Sequence, residues 1–69
     1  MHRSTVDHEL LGLADSLAQR ATSLRTQAES LPAVLADTYR RRASELELEA
    51  FIAEVQSGVS YDQIHLPVA

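Results

Sequence analysis

The chain has 69 residues, of which 45% are hydrophobic and 23% charged, and it contains no cysteine. A domain this short buries only about 60% of the surface its unfolded chain exposes. With disulfides and thiolate zinc sites excluded, the reinforcement left to such a chain is a second subunit. The net charge of −4, from six arginines, ten acids and no lysine, disfavours a protein whose affinity comes from neutralising phosphates.

The first element opens at Ser4-Thr5-Val6-Asp7, where a capping side chain is followed three residues later by an acid. A helix is expected over about 5–29. Within it Leu10, Leu17, Leu24 and Leu31 recur every seven residues, and Ala14, Ala21 and Ala28 follow the first three by four positions. Val6 and Leu13 widen the stripe. Residues four apart are neighbours on a helix, so large and small side chains alternate along one seam. The small positions let a second helix approach closely. Arg20 and Gln27 interrupt a long parallel zipper, which favours an antiparallel hairpin. Gly12 lies on another face and weakens the helix by about 1 kcal/mol relative to alanine.

Ser30-Leu31-Pro32 breaks the pattern, because proline restricts the residue before it and supplies no N–H. The hairpin turn is placed here, with a kinked continuous helix as the alternative. A second helix is expected over about 32–57, stopped by Gly58. Its stripe of Leu35, Tyr39, Ala43, Leu46, Ala50 and Ala53 answers the seam of the first helix. Leu48, Phe51, Ile52 and Val55 form a second stripe about half a turn away. After Gly58, Ser60 and Gln63 suggest a capping box with Val59 and Ile64 as its staple. They predict a short helical turn over about 60–64, followed by an apolar tail.

The expected fold is therefore all-α: one domain, 1–69, built as an antiparallel helical hairpin with a short C-terminal helical turn and tail. The surplus stripe adds the expectation of a homodimer in a four-helix arrangement, with Leu48, Phe51, Ile52 and Val55 at its interface. Burying those four side chains contributes on the order of 6–10 kcal/mol before entropy costs. The tail residues Val59, Tyr61, Ile64 and Leu66 are a second source of cover for the stripe. No apolar run reaches the roughly 18 residues of a membrane span, and the N-terminus lacks a signal-peptide pattern, so a cytoplasmic protein is expected.

No residue constellation argues for catalysis, a metal or a cofactor. His2, His8 and His65 lack the spacing that converges two imidazoles on zinc. Glu45, Glu47 and Glu49 form an acidic patch, but acid–base work needs a cleft that separates carboxylate pKa values, and a hairpin provides little cleft. Their simpler reading is an exposed ladder in which Asp37, Arg41 and Glu45 pair at intervals of four. The chain is expected not to be an enzyme. Tyr39-Arg40-Arg41-Arg42 is the one cluster with an interaction signature, since tyrosine and arginine are enriched among residues that dominate interface energy. Arginine without lysine also suits bidentate pairing with carboxylates on a partner. The structural alternative is that Tyr39 edges the hairpin core and the arginines are a solvated face.

With the hairpin, the mixed charge and this cluster in view, the chain resembles the small phage-encoded anti-quorum-sensing proteins. The resemblance covers the chain in length and architecture, and the Ala-, Leu- and Arg-rich, lysine-free composition suits a phage of a GC-rich bacterium. It implies a helical dimer that binds the DNA-binding domain of a LuxR-type transcription factor, and also a type IV pilus assembly ATPase. It further implies that Tyr39 and the nearby arginines contact the regulator and that DNA binding by the regulator is blocked. Two other classes compete. Helix two, Gly58 and Ser60-Tyr61-Asp62-Gln63 superficially resemble the start of a helix-turn-helix DNA-binding module, but Pro67 leaves no recognition helix. The other is a structural assembly protein.

Overall fold

A computed structural model describes residues 6–58, and these form two packed helices, α1 (His8–Ala28) and α2 (Ala33–Ser57). The expected helical turn at 60–64, the tail and the capping role of Ser4 lie outside the described residues. Asp7, expected as the acid that answers a cap, is itself the cap. Its Oδ1 accepts from the backbone N–H of Glu9 at 3.0 Å and of Leu10 at 3.2 Å. Two donors that the first helical turn leaves without partners are thus satisfied, and α1 begins three residues later than about residue 5.

The turn falls at Glu29 to Pro32, so the chain makes a hairpin and not a kinked helix. The N–H groups of Glu29, Ser30 and Leu31 each donate to the carbonyl three residues back, at 3.2 Å, which satisfies carbonyls at the end of α1. Pro32, with φ −57° and ψ 152°, turns the chain and then accepts the first bond of α2 from the Ala36 N–H at 2.8 Å. At the far end Gly58 takes φ 91° and donates to the Val55 carbonyl, a left-handed stop that glycine alone adopts without a Cβ clash. The Asp7 N–H donates to the Ser57 carbonyl at 2.8 Å, so the start of α1 is bonded to the end of α2. The hairpin is closed by backbone at both ends.

Between those ends the core is narrow. Ala14, Leu17, Ala21 and Ala28 are buried on α1; Ala36, Ala43, Leu46, Ala50, Ala53 and Ser57 are buried on α2. The α1 seam is the one its spacing predicts, flanked by half-buried Leu10, Leu24 and Leu31. Leu13 does not widen it, being half-exposed in the same seven-residue column as Arg20 and Gln27.

On α2 the expected stripe needs one correction: Leu35 is 49% exposed and Ala36 is buried in its place. Ala36, Ala43, Ala50 and Ser57 are seven apart, with Tyr39, Leu46 and Ala53 filling the alternate positions. A strict seven-residue seam keeps facing its neighbour when two helices wrap with a left-handed supercoil. Leu35 belongs to the adjacent column, with Arg42 and Glu49. It fits a spacing of four from Tyr39 but not the repeat. Among the described residues Ser57 is the one buried polar residue, and its hydroxyl donates to the Glu54 carbonyl at 2.6 Å.

Candidate protein-binding interface

Helix α2 has a complete face that α1 does not cover. Val34, Arg41, Leu48 and Val55 recur every seven residues on the side of α2 opposite the alanine seam, flanked by Asp37, Ser44 and Phe51 on one edge and Thr38, Glu45 and Ile52 on the other. In the C-terminal half this face is apolar and open: Leu48 is 52%, Ile52 44% and Val55 41% exposed. Phe51 is half-buried, turned toward the hairpin's flank. These are the four residues expected at a dimer interface, and the structure brings them together on one surface two turns long.

The Tyr39-Arg40-Arg41-Arg42 cluster is arranged differently. Four consecutive residues at about 100° intervals occupy a full helical turn and point four ways. Tyr39 lies on the seam side and is half-buried. Arg40 reaches Asp37 at 3.8 Å, and Arg42 reaches Glu45 at 3.0 Å and Glu49 at 3.6 Å. Arg41 stands on the outer face with Leu48, and among the described residues no carboxylate lies within ion-pair range of it. The expected Asp37–Arg41–Glu45 ladder is therefore replaced by pairs at other spacings. Arg42 sits in the same column as Glu49 and one turn before Glu45, which gives its long side chain two carboxylates at once.

One polar contact that local spacing does not reveal joins the helices. Arg25 holds Glu47 through Nη2 to Oε1 at 2.7 Å and Nε to Oε2 at 3.1 Å, and its Nη2 also reaches the Ser44 hydroxyl at 3.2 Å. This is the bidentate geometry that guanidinium and carboxylate favour. The hydrogen bonds to Glu47, helped by its charge and opposed by burial, hold the Arg25 pKa above its ordinary value. Twenty-two residues separate the two side chains. Their meeting is legible only once the two seams are aligned antiparallel, which places them on the same flank. One of the three acids read as a patch is thereby committed to the hairpin.

Charge divides α2 along its length. Its first half, 33–44, carries Asp37 and three arginines; its second half, 45–57, carries Glu45, Glu47, Glu49 and Glu54 and no cation. Among the described residues no group of three histidines or acids is placed to hold a metal ion, and no helix is long and apolar enough to cross a membrane. What this surface offers is an apolar strip framed by acids, with a cationic turn at its N-terminal end. The chain matches no family model, no curated protein and no solved structure.

Proposed function

We propose that this protein is a regulator that acts by binding other proteins, as a homodimer of helical hairpins. The observation that carries the proposal is the apolar strip Leu48–Ile52–Val55, exposed on a helix whose opposite side is already packed. Large apolar side chains gathered on an open surface mark a site of association, because leaving them in water forgoes about 25 cal/mol for each Å² that a partner covers. The core gives a second reason. Among the described residues Leu17 and Leu46 are the only buried ones larger than alanine and serine, and so small a core gains from added burial.

For the partner, the proposal follows the resemblance. It is a LuxR-type transcription factor in the host cytoplasm, sequestered by a phage-encoded inhibitor so that it no longer binds DNA, with a type IV pilus assembly ATPase as a second target. Residue type supports an interaction at the cationic turn: tyrosine and arginine are enriched among residues that dominate interface energy, and arginine pairs bidentately with carboxylates of a partner. Tyr39 and Arg40–Arg42 are the residues proposed to contact the regulator.

The test is to titrate the purified protein into a LuxR-type regulator bound to its operator. Release of the DNA together with a stoichiometric protein complex is the expected result. Tyr39→Ala should weaken that complex about 30-fold or more, as loss of an interface anchor does. Because Tyr39 also lies on the hairpin seam, circular dichroism of Tyr39→Ala and binding by Tyr39→Phe separate lost contact from lost fold. Binding of DNA by the chain alone, or its growth into large oligomers, would instead favour a DNA-binding module or an assembly protein.

A further inference from the structure

The outer face of α2 carries more than an apolar strip: read end to end, it is complementary to itself in reverse. Its central column runs Val34, Arg41, Leu48, Val55. Val34, at the hairpin end, is 79% exposed, the most open large apolar side chain described. It lies 14 residues from Leu48, about 21 Å along the helix, too far to share a compact patch with the C-terminal strip. Arg41 stands between them without an acid of its own chain in range among the described residues.

We infer that two copies of this chain pair along the full length of α2, antiparallel, about a two-fold axis passing between Ser44 and Glu45. This rests on the dimer proposed above and fixes its register. Residue numbers facing each other then sum to about 89, so Val34 meets Val55 of the partner subunit and Arg41 meets Leu48 of the partner subunit. The Asp37–Thr38 layer lies against the partner's Phe51 and the partner's Ile52. Each cationic first half, with three arginines and one aspartate, lies against an acidic second half with four glutamates. Arg41 is carried to the acidic turn that begins at Glu45 of the partner subunit. The two Glu45 carboxylates near the axis are each held by Arg42 of their own chain, at 3.0 Å.

The competing register centres the axis on the strip, near Phe51 and Ile52. It covers Leu48 and Val55 but overlays two segments that each hold four glutamates and no arginine. It also leaves Val34 in water and Arg41 without a partner. Like charges set against each other are a means of excluding an alignment, and full-length pairing removes all three defects. It also divides the cationic turn: with Arg41 in the dimer, the regulator contact proposed above falls to Arg40, Arg42 and the exposed part of half-buried Tyr39.

The chain has no cysteine, so single cysteines report the register directly. Helices packed 8–10 Å apart bring facing Cα atoms within disulfide range. Glu45→Cys should oxidise to a covalent dimer and Ile52→Cys alone should not. A mixture of Val34→Cys and Val55→Cys chains should give the mixed dimer in preference to either homodimer. Arg41→Glu should weaken dimerisation at least tenfold in sedimentation while leaving helicity unchanged. Rapid self-linking of Ile52→Cys with none at Glu45→Cys, or full-strength dimerisation of Arg41→Glu, would overturn the full-length register while leaving a dimer in place. A monomer at all concentrations would overturn the register and the dimer together, yet leave binding to a regulator to be decided by the operator titration.

Discussion

Gly12 sits in the second turn of α1, and a Cβ added there meets nothing within 4 Å. Its cost is therefore backbone freedom without compensating packing, and Gly12→Ala should stabilise the hairpin by about 0.5–1 kcal/mol in a urea titration. Gly58 is the opposite case. Its φ of 91° lies where an L side chain is strained, so Gly58→Ala should lose about 1 kcal/mol in the same titration. Of the large core residues Leu46 is completely buried. Leu46→Ala should cost about 2–5 kcal/mol, which is a large part of the stability of so small a domain. Both glycine positions were visible in the sequence, but only Gly58 had a visible purpose, because a helix stop has a local signature and an empty surface around a glycine does not.

Each helix was predictable because its determinants are local: a capping side chain, a proline and a glycine at its ends, and a seven-residue alternation between them. Apart from the cap of α1, which falls on Asp7, the differences lie where the deciding geometry is on the other helix. Leu35 has the hydrophobicity of a core residue, yet the face of α2 that packs against α1 holds Ala36. The close approach that makes alanine fit also makes it irreplaceable. Ala43→Leu, at a site with no exposure, should force the helices apart and destabilise by about 1–3 kcal/mol or more, read as a loss of cooperative unfolding. Arg25 and Glu47 belong to this scale as well. Their side chains remain partly exposed, so a double-mutant cycle with Arg25→Ala and Glu47→Ala should give a coupling of only about 0.5–1 kcal/mol, shrinking as salt is added.

At the scale of the molecule, a hairpin of two helices has one interior contact and two outer faces, and the outer face of α2 is not one that water favours. Leu48→Glu places a charge in the middle of it without disturbing the core, since Leu48 is half-exposed and points away from α1. Sedimentation should show at least a tenfold weaker dimer with helicity retained. An unchanged dimer would move the interface elsewhere. The apolar surplus was legible in the sequence from Leu48, Phe51, Ile52 and Val55, as was the cationic turn at Tyr39 to Arg42. The residues of that turn are consecutive and form one cluster in sequence, but a helix distributes consecutive residues around its axis. The column that links Val34 and Arg41 to the strip becomes apparent only when the buried seam fixes which side of α2 faces out.

The sequence by itself determined two helical segments, a break at Ser30-Leu31-Pro32 and the stop at Gly58, because each depends on backbone preferences and on periodicity within a few residues. It also determined that one helix has more apolar surface than its neighbour can cover. Tertiary structure alone decided the phase of each face: Ala36 over Leu35 in the seam, Arg25 on Glu47 across it, and the Asp7 N–H on the Ser57 carbonyl at its open end. The physical reason is that such contacts depend on the alignment and supercoil of two helices together, and no single stretch of chain encodes that alignment.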